Sequence, residues 1–492
     1  MTLPSWTDPI VRMASEAIGG PRGDRGTAPR RIVVVGVVIV VATLTWLANL
    51  LQKVPCRLKV DETVDWFAKL CYSDIPLLYR YRGLADGNTP LLDEGNYQVL
   101  EYPVLTGGLL EVQRWITVAL GAPVGPGLTE AEAVRAQLMF FDVNSVVLFV
   151  LFLVAVLAQV HTPTGRPWDA LMVAASPAVI LTGLINWDMW PMALTALGCL
   201  FWARRMPVLA GVLLGLACAA KLYPLLLLGP LFLLCLRAAR MEAFARTVSA
   251  FLVSWAAVNL PVMLLAPQQW MVFWTFNSDR DGELGSIWYV YELITGNEFP
   301  ALNTVNALLL ILGCAAIGVL IMVAPRRPRF GQVAYLVVFV FLVLNKVYSP
   351  QYVLWLLPLM VLARPRWRDW IVFTTGEVVY TVAIWAHLGG FSYAGAGGDR
   401  IYWLAVFFRI GCEAWVAAQV VLDILHPERD PVRLGRDPSG RPVDDPTGGL
   451  LDHAPDADWF RRLWNRYALG SGGARAAGEP AAGGAGGHAP PA

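Results

Sequence analysis

Charged side chains are scarce in this chain, since Asp, Glu, Lys and Arg make up only 15% of its 492 residues. The formal net charge is +1 and no basic block occurs, so nothing indicates a nucleic-acid partner. Hydrophobic residues make up 56% of the chain, and its mean hydropathy is +0.53. The shortage of charge therefore excludes an ordinary soluble protein and indicates a polytopic membrane protein.

The chain also lacks the short motifs of several enzyme classes. It contains no Walker motif, no glycine-rich dinucleotide fingerprint and no group of His, Asp and Glu with metal-ligand spacing. We therefore expect neither a metal nor a cofactor. Internal repeats are absent too, and the ionisable residues collect at one edge of the apolar runs, whereas transporters commonly show repeats and charges at the bilayer midplane. A transporter or flippase for lipids or lipid-linked sugars is the less favoured alternative.

Long apolar runs are abundant, and many offer roughly 15 to 20 residues, enough to cross a hydrocarbon core as a helix. Because they are continuously apolar and do not alternate with polar residues, the predicted fold is all-α. The first run, Ile32 to Leu51, is too long for a signal-peptide core and is expected to remain as a span. We predict about twelve spans within a transmembrane domain of residues 32–425, namely 32–51, 138–160, 167–185, 188–203, 207–220, 222–236, 247–265, 301–323, 331–346, 350–363, 370–388 and 401–424.

Arginines set the predicted orientation, because their clusters fall in alternate loops and share one side with residues 1–31. The positive-inside rule makes that side cytoplasmic. The alternation holds only if residues 104–122, which carry Glu111, Gln113 and Arg114, form a helix in the membrane interface and not a span. Residues 52–135 are then a large first extracytoplasmic loop bearing interfacial helices. The clusters are Arg22, Arg25, Arg30 and Arg31, then Arg166, then Arg204 and Arg205, then Arg237, Arg240 and Arg246, then Arg326, Arg327 and Arg329, and finally Arg364, Arg366 and Arg368.

Three smaller features give further predictions. Thr129 to Glu132 has the form of a capping box and predicts a helix that runs into the second span. Cys56 and Cys71 lie in the polar segment from Gln52 to Pro103, so they form either a disulfide outside the cell or two buried free thiols. Residues 426–492 are rich in Asp, Gly, Pro and Ala and are predicted to be a disordered cytoplasmic tail.

Two carboxylates are candidates for proton transfer. Asp74 follows Ser73 at the edge of an apolar and aromatic stretch, where partial desolvation would make it a better proton acceptor near neutral pH. The same position also suits the cap of a helix that begins at Ile75, with Pro76 in its first turn. Asp188 is the second candidate, and a helix-capping role fits it at least as well.

The order of these features resembles the polyprenyl-phosphate-sugar-dependent membrane glycosyltransferases of the C superfamily. More narrowly, it is similar to glycosyltransferase family 87, which includes actinobacterial envelope mannosyltransferases. The resemblance covers about residues 30–425 in short stretches and departs from the family at Ile185-Asn186-Trp187-Asp188, where a Gly-Gln-Asn sequence is frequent. The matching stretches are Asp74 to Tyr79 with Tyr102-Pro103, Ala210 to Ala217 with Lys221-Leu222-Tyr223-Pro224, and Ser349 to Pro358.

This resemblance implies an inverting transfer of a sugar, with mannose favoured, from a polyprenyl-phosphate donor to an envelope glycolipid or polysaccharide. The expected setting is the outer face of a bacterial plasma membrane. Asp74 would be the general base, with Asp188 as second choice. The implied donor-phosphate ligands are Lys346, Lys221, Arg280 and His387, although lysines at a membrane edge also snorkel without a further role. The implied substrate contacts are Tyr79, Glu101, Tyr102, Trp187, Tyr348, Gln351 and Tyr352.

Overall fold

The computed structural model describes residues 31–58, 65–91, 97–392, 399–435 and 440–463, and these residues are helical with no strand. The predicted N-terminal tail, apart from Arg31, lies outside the described residues. The α-helices, in chain order, are α1 Arg31–Leu58, α2 Asp74–Tyr81, α3 Val104–Ala119, α4 Glu130–His161, α5 Leu171–Ala174, α6 Pro177–Thr182, α7 Met189–Ala203, α8 Pro207–Ala220, α9 Leu228–Arg237, α10 Met241–Leu265, α11 Pro267–Asp279, α12 Ile287–Thr295, α13 Leu302–Val323, α14 Phe330–Leu344, α15 Val353–Ala363, α16 Trp367–Leu388 and α17 Arg400–Leu425.

Six of these helices, α1, α4, α10, α13, α16 and α17, are long and apolar enough to cross a membrane. Shorter apolar helices occupy Met189–Ala203, Pro207–Ala220, Tyr223–Arg237, Phe330–Leu344 and Pro350–Ala363. The prediction of an all-helical, multi-pass membrane protein is therefore confirmed. The total of about twelve spans stays a prediction, since several shorter helices reach only part of the length that a full crossing requires.

The predicted span 167–185 is not one continuous helix. It consists of a 3₁₀-helix at Pro167–Ala170, followed by α5 and α6. Ser176 breaks the helix because it precedes Pro177 and has φ −71° and ψ 123°, an extended backbone that a residue before proline favours. The chain beyond α6 then turns through Asn186 and Trp187 to reach α7. This broken segment leaves backbone carbonyl groups near residue 185 available to other parts of the chain.

Two regions near the amino end form the helices that the sequence predicts. Thr129 caps α4, and the reciprocal bonds of a capping box join it to Glu132. Helix α3 forms within the predicted interfacial segment, and its Glu111 and Arg114 side chains pair one turn apart. The pairing lowers the cost of placing two charges near apolar surroundings. Its location in the membrane interface stays a prediction.

Helices α8 and α10 pack closely because α8 has glycines on the contact face. A Cβ at Gly211 would overlap the carbonyl oxygen of Thr247, and one at Gly215 would overlap that of Phe251. Small residues let helix backbones approach in a membrane, where dispersion contacts contribute much of the association energy. The same packing fixes the carboxyl end of α8, where Lys221 follows.

The region after residue 426 differs from the predicted disordered tail. Residues 426–435 and 440–463 pack on the helices through buried ion pairs. Arg329 donates from Nε to Asp430 at 2.7 Å, and Arg237 and Arg327 both bind Asp456 at 2.9 Å. The prediction from composition differs from the structure because it treated the Asp side chains as solvated. In the structure these side chains form ion pairs with buried arginines. Residues 464–492 lie outside the described residues, and the cytoplasmic placement of this region stays a prediction.

The arginines and the candidate site residues lie at opposite ends of the same helices. Helix α14 begins after Arg329 and ends before Lys346, and α16 begins beyond Arg364 and ends near His387. Because α14 has 15 residues, at about 1.5 Å each its ends lie about 22 Å apart. In these two helices the arginines and the candidate residues are thus separated, and the alternation of all the loops stays a prediction.

Candidate functional site

The segment that carries Asp74 is fixed to the end of α1. A disulfide joins Cys56 to Cys71, which answers the question that the sequence left open. The Lys53 ammonium donates a hydrogen bond of 2.8 Å to the Tyr72 carbonyl oxygen, and Gln52 donates to the Leu70 carbonyl oxygen. The disulfide and the two hydrogen bonds hold three adjacent residues, 70–72, so the backbone before Asp74 has little freedom to move.

Asp74 is the first residue of α2 and is also bound to the broken segment after α6. Ser73 caps the helix by accepting from Ile75, and its hydroxyl donates to the Leu184 carbonyl oxygen at 2.7 Å. The Asp74 backbone N–H donates to the Ile185 carbonyl oxygen, also at 2.7 Å. The capping role that the sequence allowed thus falls to Ser73, and the Asp74 carboxylate is left for another purpose.

The Asp74 carboxylate is half-buried and accepts a hydrogen bond of 2.7 Å from the Tyr72 hydroxyl. Burial raises its pKa to about 6, with smaller increases from the charges of Asp188 and Glu101. The Tyr72 hydrogen bond and the positive charge of Lys221 oppose this rise. A carboxylate with a pKa near 6 is ionised at neutral pH, yet it is a better proton acceptor than a solvated aspartate.

Asp188 faces the same region but is held more firmly. It is buried, and its Oδ1 accepts from the indole Nε1 of Trp355 at 2.8 Å and lies 3.7 Å from the Lys221 ammonium. Its backbone N–H donates to the Asn186 side chain at 3.2 Å. Among the described residues, no group donates to its Oδ2. These contacts suit a carboxylate that orients Lys221 better than one that exchanges a proton with substrate.

Lys221 lies 3.7 Å from Asp188 and is surrounded by aromatic rings. Its Nζ atom lies 4.6 Å from the ring centre of Tyr102, 5.6 Å from that of Tyr352 and 5.7 Å from that of Trp355. Tyr352 stacks on Trp355 with the ring centres 3.9 Å apart. Cation–π contacts and one carboxylate hold the ammonium in this position.

Tyr102 lines a small cleft that is formed by residues of α8, α10 and α11 together with Leu91, Leu100 and residues 102–104. Most of its walls are apolar and aromatic, with Trp255, Trp270 and Trp274 among them. Asn186 donates from Nδ2 to the Tyr102 hydroxyl at 3.3 Å, so Tyr102 connects the cleft with the Asp188 segment. An aromatic cleft with a lysine against one of its rings is suited to an amphipathic ligand with an anionic or sugar head.

Lys346 and Arg280 have other partners in the structure. The Lys346 ammonium donates to the carbonyl oxygens of Ser278 and Arg280 and to the side chain of Asn303, at 3.0, 2.7 and 2.7 Å. These bonds use all three of its donors. Arg280 forms a two-pronged pair with Glu283. The structure thus places both residues in a loop-anchoring network beside the site, and their role as phosphate ligands stays a prediction.

His387 and Tyr348 belong to two buried clusters. His387 is 2.9 Å from Asp399 through Nδ1, and its ring stacks on Tyr402. Tyr348 donates to Glu413, and its ring faces the Arg409 guanidinium at 3.5 Å. Their roles in binding phosphate and substrate stay predictions.

The remaining predicted substrate contacts divide between the site and the core. Trp187 is buried against Tyr102, with ring centres 6.0 Å apart, and Gln351 is buried in the turn before Tyr352. Glu101 accepts from Arg82 at 2.7 Å. Tyr79 lies on the buried face of α2 and stacks on Phe140 of α4, so its ring contributes to packing.

Sequence reasoning missed four residues that shape the site, namely Lys53, Tyr72, Asn186 in its hydrogen-bonding role, and Trp355. The signal for Tyr72 was its place two residues before Asp74. Trp355 lies within the Ser349 to Pro358 stretch, but in the sequence it is indistinguishable from the other apolar residues of that predicted span. Of the described residues, Asp444, Asp452 and His453 could together hold a metal ion, and they belong to the carboxy-terminal segment at the arginine end of the helices.

Helices long and apolar enough to cross a membrane, together with a half-buried carboxylate, a lysine and an aromatic cleft, fit an integral-membrane transferase. The model of glycosyltransferase family 87 matches residues 122–350, and this match supports a glycosyltransferase. The matched region includes Asp188, Lys221 and Lys346, whereas Asp74 and Tyr102 precede it. None of the curated proteins compared with the chain matches it.

Proposed function

We propose that this glycosyltransferase moves a sugar, with mannose favoured, from a polyprenyl-phosphate donor to an envelope glycolipid or polysaccharide. The observation that carries the proposal is a half-buried Asp74, whose pKa is raised to about 6, within electrostatic reach of Lys221, which in turn contacts Tyr102 in the wall of an apolar cleft. A lipid-linked donor suits walls of tryptophan and aliphatic side chains. A nucleotide-sugar donor suits them poorly, because such donors are strongly polar and occur in the cytoplasm.

The proposed chemistry is a single displacement at the anomeric carbon. The acceptor oxygen forms a bond to that carbon while its proton passes to the Asp74 carboxylate. The bond between the anomeric carbon and the phosphate oxygen breaks, and the electron pair leaves with the polyprenyl phosphate. Lys221 stabilises the negative charge that develops on the phosphate. Because attack and departure occur on opposite faces of the carbon, the configuration inverts.

Asp188 acts in this scheme as a positioning residue. Its 3.7 Å separation from the Lys221 ammonium and its hydrogen bond from Trp355 keep the lysine against the ring of Tyr102. A fixed carboxylate beside a phosphate-binding lysine also weakens the lysine's attraction for the departing phosphate, which helps product release. The Asn186 to Tyr102 hydrogen bond fixes the opposite wall.

An extracytoplasmic site is supported by two features of the chain. The disulfide between Cys56 and Cys71 is a kind of bond that persists in oxidising compartments. The arginines that bind the carboxy-terminal segment lie at the other ends of the helices, as the positive-inside rule requires of a cytoplasmic face. Lipid-linked sugars presented at the outer leaflet would reach the cleft from the side.

Transfer from radiolabelled polyprenyl-phosphate mannose in membranes that carry Asp74→Asn tests the proposal. We expect transfer to fall by a factor of about 100 or more, because general-base catalysis contributes about that much. Glu130→Gln is the matched control, since this exposed acid pairs with Arg80 outside the site and its loss has little cost. Equal transfer by the wild type and Asp74→Asn, at equal protein abundance, would refute the base assignment.

The same assay examines the sugar. Donors carrying glucose and mannose on the same polyprenyl phosphate are compared at equal concentration, and we expect mannose to be transferred at the higher rate. If the glucose donor is used faster, the preference for mannose is wrong while the transfer mechanism is unaffected.

A further inference from the structure

Three ionisable side chains lie together inside two of the helices that are long enough to cross a membrane. Glu377 belongs to α16, Arg409 and Glu413 belong to α17, and none of the three is more than 1% exposed. We call these three residues the Arg409 cluster. Charged side chains inside membrane helices are costly and commonly have a functional role. The proposed transfer step uses none of the three directly.

One guanidinium in the Arg409 cluster faces two carboxyl groups. The Arg409 Nε atom donates to Glu377 at 3.1 Å and lies 3.6 Å from a carboxyl oxygen of Glu413. Replacing a buried group of charges by apolar residues of similar volume is often neutral or even stabilising. Stability alone is therefore a weak reason for the presence of the cluster.

Arg409 also binds the backbone of the turn that leads to Tyr352. Its Nη1 atom donates to the Tyr348 carbonyl oxygen at 2.9 Å, and the Tyr380 hydroxyl donates to the same oxygen at 3.1 Å. The guanidinium carbon lies 3.5 Å from the centre of the Tyr348 ring, and the Tyr348 hydroxyl donates to Glu413. The Arg409 cluster thus holds both the backbone and the side chain of Tyr348.

The loop before α12 is attached at the same point. The Tyr348 backbone N–H donates to the Leu284 carbonyl oxygen at 3.1 Å. The next residue, Gly285, has φ +83°, and a Cβ there would overlap the Tyr348 carbonyl oxygen. A larger residue at position 285 would therefore displace the carbonyl group that Arg409 binds.

The turn held at Tyr348 continues into the aromatic rings around Lys221. Tyr352 lies four residues later, and its ring centre is 5.6 Å from the Lys221 ammonium. Trp355 stacks on Tyr352 and donates to Asp188, the carboxylate that lies 3.7 Å from the same ammonium. Because so few residues separate these contacts, a shift of the Tyr348 carbonyl would move the rings that hold Lys221.

We infer that Arg409 is a positioning residue for the transfer reaction. Through the Tyr348 carbonyl oxygen it fixes residues 348–355, and these residues hold Lys221 where it binds the donor phosphate. Glu377 and Glu413 orient the guanidinium. This inference rests on the proposed function and adds to it a residue that acts through the backbone and not on the substrates.

Transfer in membranes at varied concentrations of radiolabelled polyprenyl-phosphate mannose tests the inference. We expect Arg409→Met to raise the apparent KM for the donor about tenfold and to lower the maximal rate less, because a misplaced Lys221 binds the phosphate poorly. Arg364→Met is the matched control, since Arg364 is also buried and also pairs with two carboxylates, at the arginine ends of the helices. It should lower the unfolding midpoint and leave the donor KM unchanged. An equal rise of the donor KM in both variants would overturn the inference.

A neutral version of the Arg409 cluster separates positioning from charge balance. Arg409→Met leaves two buried carboxyl groups without their cation, which lowers stability. Adding Glu377→Gln and Glu413→Gln removes that penalty and should restore the unfolding midpoint. The donor KM should stay raised, because the Tyr348 carbonyl still lacks its guanidinium donor. A wild-type donor KM in this triple variant would mean that Arg409 contributes only to stability.

Glycine substitutions displace the same carbonyl group without altering a charge. Gly285→Ala should raise the donor KM as Arg409→Met does. Gly296→Ala is its control, because Gly296 has a similar φ of +71° and no heavy atom lies within 4 Å of a Cβ built there. If Arg409→Met folds poorly, as judged by size exclusion, this pair decides the question. Equal donor KM values for the two glycine variants would then refute the role of the Tyr348 carbonyl.

A measurement without turnover separates this inference from the proposed function. Reductive dimethylation of the full-length protein with formaldehyde and a borane, followed by mass spectrometry, gives the reactivity of Lys221 relative to the exposed Lys69. We expect Arg409→Met and Gly285→Ala to increase the reactivity of Lys221 several-fold and Arg364→Met to leave it unchanged. This result in a protein that fails to use the mannose donor would refute the proposed donor and uphold the positioning role. Unchanged Lys221 reactivity in the first two variants would overturn the positioning role even where transfer occurs.

Discussion

The two carboxylates of the site differ in the number of groups that hold them. Asp188 is buried, accepts from Trp355 and lies 3.7 Å from Lys221, whereas Asp74 is half-buried and has a single side-chain donor, Tyr72. A base must reach the substrate and accept a proton, so the less constrained carboxylate suits the chemical step. The more constrained one suits the orientation of its neighbours.

The raised pKa of Asp74 predicts a pH dependence of transfer. The base acts only when ionised, so we expect the rate to be half-maximal near pH 6 and to fall as the pH drops further. At pH 5 about a tenth of the carboxylate remains ionised. Initial rates measured between pH 4.5 and pH 8 check this, with the thermal unfolding midpoint followed at each pH. A flat profile across the range from about 5 to about 7 in a stable protein contradicts the assignment.

For single residues, the sequence identifies side chains capable of catalysis or binding better than it identifies their contact partners. Asp74, Asp188, Lys221 and Tyr102 were selected from the sequence, and the structure brings them together. Lys346 was selected for the same reasons, but its three donors bind a loop. Lys221 and Lys346 both follow the end of a helix, and the sequence does not distinguish them because their contact partners lie far away along the chain.

At the scale of elements, the disulfide and the short helix α2 act as one unit. The bond closes a segment with a sequence separation of 15 and holds the backbone that leads to Tyr72 and Asp74. The broken segment after α6 supplies the other attachment, through the carbonyl oxygens of Leu184 and Ile185. Asp74, the proposed base, is thus positioned by backbone contacts on both sides.

Loss of the disulfide should therefore reduce both stability and transfer. Cys56→Ser removes a cross-link whose loop-closure effect is about 3 kcal/mol, and it loosens the segment that positions Asp74. We expect a lower unfolding midpoint and a several-fold lower rate, and a reductant should reproduce both in the wild type. Cys314→Ser is the control, because this cysteine is free and distant in sequence. Unchanged transfer in Cys56→Ser would show that the other contacts suffice to position Asp74.

Element prediction succeeded where the apolar pattern was long and failed where proline interrupted it. Helices α4 and α13 follow directly from the sequence, and the capping box at Thr129 marks the start of α4 correctly. The run 167–185 was predicted as one span because most of its residues are apolar. Ser176 and Pro177 divide it, and the division creates the carbonyl acceptors that bind Ser73 and Asp74.

At the scale of the whole molecule, the carboxy-terminal segment joins the arginine ends of several helices. Arg329 and Asp430 are both fully buried and form a two-pronged pair, and Arg329 also donates to the carbonyl oxygens of Leu362 and Ala363. Arg364 binds Asp369 and Asp423 in the same region. The composition of this segment predicted disorder because acidic residues are usually solvated, and composition carries no information about buried arginines elsewhere in the chain.

Removing one member of the buried pair should destabilise the protein strongly. Asp430→Ala leaves the Arg329 charge without its carboxylate, and we expect a loss of about 3 to 5 kcal/mol. The unfolding midpoint in detergent measures this. Asp458→Ala is the control, because Asp458 forms an exposed pair with Arg461 and its loss should leave the unfolding midpoint close to that of the wild type. Equal midpoints for the two variants would show that the segment contributes little to stability.

The orientation of the whole molecule is testable by cysteine labelling in intact cells. A Ser278→Cys variant, in an exposed position near the Lys346 network, should react with a membrane-impermeant maleimide added from outside. An Arg240→Cys variant, exposed at the arginine end of the helices, should react only after the cells are permeabilised. The unsubstituted chain gives the background from its own cysteines. The reverse pattern would place the site in the cytoplasm and exclude the proposed donor presentation.

The cross-link between Cys56 and Cys71 has a consequence for when the protein would become active during its biosynthesis. While the first hairpin of a nascent chain is still inside the reducing cytosol, the thiols stay separate and the future base has no settled position. Oxidation after export would complete the active centre, so catalysis would begin only on the side where acceptor and lipid-borne sugar meet. Such timing would protect the inner-leaflet pool of glycosyl carriers from premature consumption.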